Sequence, residues 1–530
     1  MAKLTIDGKE IEVPDGTRLF DACTEARGEA LPHFCYHPDL SIAGVCRLCQ
    51  VEVEGMPKLT IACNTFVRDG MVVHTRNERV TKASEQILEM HLINHPVDCP
   101  ICDQAGECGL QDQYMAYGLY DSHVEKTDKV LKSKAKVIGP HVILDQERCV
   151  LCSRCVRFCE EVTGTGELGI YNRGDRAEID VAPGLELGNN YSLNTVDICP
   201  VGALTSRDFR FQKRVWMLKS AESVCPGCAT GCNVRLDHGA GRIYRLKPRR
   251  NPEVNGSWMC DRGRMVYKPV HDERRLTEPM RRSGGEPQAV RWTEIGDELS
   301  GLLKPGSVAL AVTSAHQSLE EQYLFKRLAL SLAGEEQISG GLAGSDLGEG
   351  DELLLDADRT PNRRGLELLE LAETSAEELV RRLRDARGTI LIHGGNPAAD
   401  PAVAEALGSC DRVIYIGTHQ NETAAAAALA LPGSMWAEKA GTFVNRQGRL
   451  QSFKQAVLPA AAVRDDWRIL AEMLAAVESD TDLASLVAVR RALGAGPLAD
   501  AGIDLNQLPV VGVVPSGSTN GDPQDAGGDH

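Results

Sequence analysis

The first residues, MAKLTIDGKEIEVPDG, alternate apolar and polar positions: a strand, a turn at DGK and a second strand. A helix follows over TRLFDACTEARG, where Cys23 lies four residues after Leu19 and reads as a small core side chain. Residues 32–66 are loop-rich and carry cysteines, with VCRLCQVEVEG running into a strand. NERVTKASEQILEMHLINH has helical periodicity and leads into a further run of cysteines. More cysteines fall over 145–205, and RVWMLKSAESVCPGCATGCNVRLDHGAGRIYRLKP predicts strands with a turn at DHGAG.

From about residue 285 the pattern changes. SVALAVTS is a buried strand followed by a helix over SLEEQYLFKRLALSLAG, and TILIHGGNP and RVIYIGT are apolar strands ending in turn residues, as in α/β units. SGGLAGSDLGEGDE reads as a surface loop, and VVPSGSTNGDPQDAGGDH has the composition of a disordered tail. No repeat of solenoid type is present. The 530 residues suggest three to five domains. The boundaries drawn are 1–80, 81–125, 140–215, 216–280, 285–475 and a partly disordered tail over 476–530.

The net charge of −17 argues against electrostatic nucleic-acid binding and favours a large soluble protein. The N-terminus lacks the apolar core of a signal peptide and the Arg-rich character of a transit peptide. No stretch approaches the length of a transmembrane helix, so none is expected. Of 18 cysteines, all but Cys410 precede residue 261. Without secretion, such clustering points to metal rather than disulfides.

Four constellations emerge. Cys35, Cys46, Cys49 and Cys63 follow the strand–turn–strand–helix opening as in a β-grasp ferredoxin, although the first gap is longer than in the plant type. Four thiolates there could instead close a structural zinc site, the lesser alternative. Cys99, Cys102 and Cys108 supply three thiolates and lack a fourth ligand. His91 and His95 both precede them; His95, three residues from Cys99 and stiffened by Pro96, is the better fourth ligand, against the plainer role of a capping or core histidine. Cys149, Cys152, Cys155 and Cys159 have bacterial-ferredoxin spacing, in which the fourth cysteine serves a second cluster. Only Cys199 is available for such a second cluster, so one 4Fe-4S cluster is expected on Cys149, Cys152, Cys155 and Cys199, with Cys159 left over and buried. Cys225, Cys228, Cys232 and Cys260 form the fourth set, again read as 4Fe-4S.

Several clusters on consecutive domains make sense as a wire, because electron tunnelling falls steeply with distance. GTGELG, residues 164–169, matches a dinucleotide fingerprint by chance, since it lies in a cysteine-bearing loop without the required strand before it. No Walker A motif is present. The chain therefore reads as a conductor without its own substrate site.

The motif order resembles the family of the large iron–sulfur subunit, or G subunit, of bacterial NADH-quinone oxidoreductase, respiratory complex I. The resemblance is strongest over 1–275, in HFCYHPDLSIAGVCRLCQVEVEG, HPVDCPICDQAGECGLQD, ERCVLCSRCVRFCEEVTG and DICPVGALTSRDFR. It implies one 2Fe-2S cluster on the first set and three 4Fe-4S clusters, one of them on His95, Cys99, Cys102 and Cys108. It also implies that the cluster on Cys225, Cys228, Cys232 and Cys260, found in only some bacterial members, lies off the main electron path. The fold implied is α+β and multidomain: a β-grasp 2Fe-2S domain, a one-His/three-Cys domain, a ferredoxin-like 4Fe-4S domain, then a shortened molybdopterin-oxidoreductase-like α/β module.

That last module is similar to its family through DERRLTEPMRR, HGGNPAADP and WAEKAGTFVNRQGRLQSFKQAVLPAAAVRDDWRIL. Cys410 does not align with a molybdenum ligand, so no molybdopterin is expected. Glu438, Gly441, Thr442 and Asn445 are read as a turn surviving from a pterin site, and Arg245, Arg249 and Arg250 as a solvated basic face rather than an anion site. The implied partners are a flavin/NADH-binding subunit and other peripheral-arm iron–sulfur subunits, through which NADH and quinone are reached. The implied place is the cytoplasmic face of the bacterial inner membrane, as a peripheral part of a proton-translocating complex. Two other readings stay open: the diaphorase subunit of an NAD-linked hydrogenase or formate dehydrogenase, and a zinc-stapled assembly scaffold.

Overall fold

The computed structural model describes residues 1–478 and 482–515. They fall into two compact units, Met1–Leu218 and the part from Lys219 onward.

In the first unit, β1 (Ala2–Ile6) and β2 (Lys9–Val13) form a hairpin in register Ala2↔Val13 to Ile6↔Lys9. Asp7 and Gly8 both take positive φ, 49° and 83°, the conformation of a two-residue hairpin turn whose twist matches the strands. Helix α1 (Leu19–Arg27) buries Leu19, Phe20, Ala22 and Cys23, so Cys23 is the core side chain its spacing predicts. With β3 (Gln50–Val53), β4 (Thr60–Ile61) and β5 (Met71–His74), the sheet order is β2-β1-β5-β3-β4; β1 and β5 are parallel and the other pairs antiparallel. Helix α2 (Glu78–Leu92) starts where the Asn77 side chain accepts from Val80 N–H at 2.9 Å.

Beyond α3 (Gly109–Tyr117), a small sheet runs β10-β7-β6, built from β6 (Lys136–Val137), β7 (Val142–Leu144) and β10 (Leu204–Ser206). Between β7 and β10 come α4 (Arg154–Glu161), the hairpin of β8 (Leu168–Tyr171) and β9 (Glu178–Val181), and α5 (Asn194–Ile198).

The second unit opens with a meander of β11 (Lys219–Val224), β12 (Asn233–Gly239) and β13 (Arg242–Pro248), turning at Ala240 and Gly241 within the expected DHGAG segment. Its main sheet collects β14 (Met280–Arg281), β15 (Gln288–Ala289), β16 (Val308–Val312), β17 (Ile338–Ser339), β18 (Thr389–His393), β19 (Arg412–Gly417) and β20 (Leu429–Pro432) in the order β15-β14-β20-β19-β18-β16-β17. From β20 to β17 all pairings are parallel. Every residue of β18 is buried, as a strand covered on both faces requires. The helix Leu319–Leu332 begins at Ser318, whose side chain and that of Glu321 cap each other's backbone N–H groups. A hairpin of β21 (Gly441–Val444) and β22 (Leu450–Phe453) follows.

Within the tail read over 476–530, residues 482–515 are folded. Ser485 caps the helix Leu486–Ala495, and Leu483, Val489, Leu493, Leu498 and Leu505 join the core that holds Leu450 and Leu470. Val513 and Leu450 exchange backbone hydrogen bonds at 2.8 and 3.1 Å. Those apolar positions bury enough surface to order the segment; residues 516–530 lie outside the described residues. Among the described residues no helix is long and apolar enough to cross a membrane.

Candidate metal centres

The first set converges. Cys35, Cys46, Cys49 and Cys63 are all buried, and the Cys35 thiol is within hydrogen-bond reach of Cys46 and Cys63, as Cys49 is of Cys63. Phe34 N–H donates to Cys46 Sγ at 3.4 Å. Arg47, inside the Cys46–Cys49 spacing, has φ +60°, which turns successive N–H groups toward one side of the loop. Leu151 (φ +52°) and Ser153 (φ +60°) do the same around Cys152, and Leu151 N–H points at Cys149 Sγ at 3.4 Å.

Cys149, Cys152, Cys155 and Cys199 line one cavity, whose other walls include Leu144, Val150, Ile179 and Leu204. Burial pushes the Cys149 thiol up to about 12 and Cys152 to about 11. The thiolate, the form that ligates metal, is therefore reached there only with a compensating cation. Cys159 is fully buried and also pushed up to about 12 by burial; a backbone hydrogen bond from Leu168 ties it to the β8 hairpin.

Cys99, Cys102 and Cys108 are mutual electrostatic neighbours at the N-terminal side of α3. The His95 ring is tied to its own loop, where its Nδ1 accepts from Val97 N–H at 3.0 Å. Burial lowers its pKa to about 4, so the ring is neutral. Val97 has φ +52°, a costly conformation for a β-branched residue. His91 is engaged elsewhere, with Nε2 3.2 Å from Cys46 O and its ring edge-on to Phe34.

The three sets of the first unit share one apolar core, containing Phe34, Leu88, Val150 and Val201 together with Cys35, Cys46, Cys108 and Cys152. The third set meets both others. Toward the second, Arg148 grips Asp98 with two hydrogen bonds of 2.9 and 2.6 Å, and Gly109 N–H donates to Pro200 O at 2.8 Å. A Cβ added at Gly202 would stand 2.3 Å from Cys102 Sγ. Toward the first set, Arg154 and Arg157 of α4 reach Tyr36 O, Ser41 O and Cys35 O. Sequence reasoning missed these residues; the visible signal was two arginines three apart amid the apolar, cysteine-rich SRCVRF.

The fourth set is buried in the second unit, and burial pushes Cys260 up to about 11. Gly263 N–H donates to Cys260 Sγ at 3.3 Å. The β21–β22 hairpin is fastened to the cysteine loop through Arg446 N–H to Ala229 O (2.7 Å), Asn445 Nδ2 to Thr230 O (3.1 Å) and Gln451 Nε2 to Gly231 O (3.0 Å). Gly231 takes φ +66°, and a Cβ there would meet Gln451 Oε1 at 2.7 Å.

Among the described residues no three His, Cys, Asp or Glu side chains converge tightly enough to grip a single ion.

Two expectations in the second unit change. Glu438, Gly441, Thr442 and Asn445 do not form one turn: Gly441 and Thr442 belong to β21, Thr442 is bound to Glu320, and Glu438 is in a buried ion pair with Arg275 at 2.7 Å. Asn445 shapes one turn, accepting from Gln447 and Arg449 N–H, and Glu438 closes a separate one, its carboxylate accepting from Met435 N–H at 2.8 Å. Arg245 and Arg249 are not a solvated face either. Arg245 pairs with Asp237 at 2.7 Å, and Arg249 reaches Asn233 and Val510 O, because the meander packs these side chains partly under the chain.

A cavity of about 730 Å³ lies at the C-terminal ends of the parallel strands. It includes Thr313, Gln317, Gly394 and Asn396, from the loops after β16 and β18, where the strand order reverses. No thiol lines the cavity: Cys410 precedes β19, at the opposite edge, with its Sγ near Ala406 O. The buried cation in the lining, Lys439, is already held by Glu321 at 2.6 Å and Asp466 at 3.0 Å.

Family models match these segments one by one. Residues 1–78 match a 2Fe-2S iron-sulfur cluster binding domain, 85–123 the NADH-ubiquinone oxidoreductase-G iron-sulfur binding region, and 139–205 the ferredoxin-like domain of NADH-quinone oxidoreductase subunit 3. Residues 218–272 match the molybdopterin oxidoreductase Fe4S4 domain and 364–476 molybdopterin oxidoreductase. The NADH-quinone oxidoreductase G subunit of Rickettsia conorii is 39% identical over 63% of this chain and 49% of its own length. Over that stretch the chain is similar to NADH-quinone oxidoreductase G subunits. It spans about half the length of the curated bacterial relatives it matches first. The 78 kDa mitochondrial subunit of NADH-ubiquinone oxidoreductase from Candida albicans is 29% identical over 93% of this chain and 85% of that protein. Among solved structures, an NAD+-reducing NiFe hydrogenase in the H2-reduced state matches 40% of this chain and 91% of that chain, with 29% identity and a TM-score of 0.36. Both 2Fe-2S and 4Fe-4S binding domains are thus present in this chain.

Proposed function

We propose that this chain conducts electrons from a flavin/NADH-binding subunit toward quinone within NADH:quinone oxidoreductase, on the cytoplasmic side of the bacterial inner membrane. The reading assigns one 2Fe-2S cluster to Cys35, Cys46, Cys49 and Cys63. It assigns three 4Fe-4S clusters to the sets headed by His95, Cys149 and Cys225, and no molybdopterin. The boundaries 1–80, 81–125, 140–215, 216–280 and 285–475 follow these sets, with 1–80 a β-grasp domain in keeping with its β2-β1-β5-β3-β4 sheet. The observation that carries the reading is the shared apolar core of the three N-terminal sets, with the third in contact with both others. When bound, iron–sulfur clusters supply one-electron carriers whose potentials follow charge, hydrogen bonds to sulfur and exposure.

What the chain contributes is spacing and electrostatics. Backbone N–H groups meet the sulfurs, apolar walls exclude water, and paired loops fix the sites relative to one another. His95 as fourth ligand is supported by its position and by the engagement of His91 at Cys46 O. Ligation through Nε2 needs the proton on Nδ1, so the Val97 N–H contact opens on loading and frees the left-handed Val97. The fourth set acts structurally, anchoring the β21–β22 hairpin. The test is depletion of the chain from cells: their membranes are expected to lose NADH:quinone reduction, and an unchanged rate would overturn the proposal.

A further inference from the structure

Arg154 and Arg157 lie on one face of α4, between the first and third cysteine sets. Arg154 donates to Ile198 O at 3.0 Å, next to Cys199, and to Tyr36 O, next to Cys35. Arg157 donates to Cys35 O at 2.6 Å, Cys152 O at 3.4 Å and Ser41 O. Both side chains thus hold loop carbonyls from both sets at once. Among the described residues neither has a carboxylate partner, although Arg157 is buried and Arg154 Nε is enclosed without a hydrogen bond. A guanidinium cannot shed its charge, and a buried charge needs an opposite one. The neighbours able to supply it are the thiols: Cys152 and Cys199 on one side, Cys35 and Cys46 on the other.

We propose that Arg154 and Arg157 are the positioning residues for electron passage between these two sites: they clamp the loops together and their charge raises the reduction potential of both clusters. This rests on the cluster assignment above. A reduced cluster carries one more negative charge than an oxidised one, so a fixed cation between two clusters favours reduction of each. The forks also keep the loops at a fixed separation, which a bare charge would not.

The test is an EPR-monitored redox titration of the cluster-loaded chain carrying Arg154→Gln, Arg157→Gln or the corresponding Lys variants. In each Gln variant both clusters are expected to become harder to reduce together, by about tenfold in the reduced-to-oxidised ratio, about 59 mV for one electron. Each Lys variant, which keeps the charge, is expected to return both potentials most of the way. Gln variants that load both clusters at wild-type potential overturn the proposal, as does a shift confined to one cluster. If the Gln variants do not load, the Lys variants decide: they must load both clusters near wild-type potential, and failure to do so overturns the proposal. A wild-type chain lacking either signal would instead refute the cluster assignment itself.

Discussion

Gly202 gives the sharpest steric test of how the second and third sites are packed. A Cβ built on it lies 2.3 Å from Cys102 Sγ and 3.1 Å from Gln104 Cβ. Ordinary non-bonded contact needs about 3.5 Å, so Gly202→Ala must open roughly 1.2 Å between this loop and the sulfur. A flexible side-chain end could swing aside, but a ligand sulfur cannot: metal–ligand distances tolerate only about 0.2 Å. The loop cannot retreat freely either, since Pro200 O is held by Gly109 N–H at 2.8 Å. Overpacking of this kind costs about 1–3 kcal/mol, and here it falls on the proposed Cys102–iron bond. Gly202→Ala is therefore expected to lose or convert the cluster of Cys99, Cys102 and Cys108 while the 2Fe-2S signal stays intact. EPR of the reduced protein with iron counting reads both. A variant retaining every cluster signal at wild-type intensity would refute the argument, because the sulfur would then have to lie elsewhere.

Replacing His95 by Ala should abolish or convert one 4Fe-4S signal while His91→Ala leaves cluster content unchanged; equal effects from the two would remove the ligand assignment. Cys159→Ser should keep every EPR signal and Cys155→Ser should lose one, because Cys159 faces the β8 hairpin. In the second unit, Lys439→Met strands Glu321 and Asp466 in a buried site and should cost about 3–5 kcal/mol in thermal or denaturant unfolding; a loss under about 1 kcal/mol would show the pair to be solvated. Burial pushes Asp466 up, but Lys439 and His393 outweigh it and hold the carboxyl at about 2. Its folded value thus lies below the unfolded one, so its stabilisation is present above about pH 4 and is lost as pH falls toward 2. Lys439→Met should flatten that acid-side loss, and an unchanged pH profile would count against the pairing.

Much of the local structure was legible because it is set by short-range rules. The Asp7–Gly8 turn, the Asn77 and Ser318 caps and the fully apolar β18 each follow from a few adjacent residues. Cysteine spacing delimits the candidate sets for the same reason. Contacts between segments far apart in sequence were not legible. Nothing near Gly202 announces that its missing Cβ makes room for Cys102, and the carbonyls held by Arg157 lie more than 100 residues upstream. The sets are numbered along the chain as first, second and third, yet the third contacts both others, which spacing cannot express. The stretch after residue 482 read as tail because of its Gly- and Pro-rich end, while the apolar positions at Val489 and Leu493 only gain meaning against Leu450 and Leu470. His95 stood out by its position before Cys99, whereas the contact of its Nδ1 with Val97 N–H could not be read from the sequence.

The central claim is that the cysteines hold iron–sulfur clusters arranged as a conductor, and elemental analysis of the purified chain tests it most directly. One 2Fe-2S and three 4Fe-4S clusters require about 14 iron and 14 acid-labile sulfide ions per chain. That stoichiometry, with reduced-state EPR signals of both cluster types, is the predicted result. Stoichiometric zinc without labile sulfide would contradict the account and make the chain a metal-stapled scaffold.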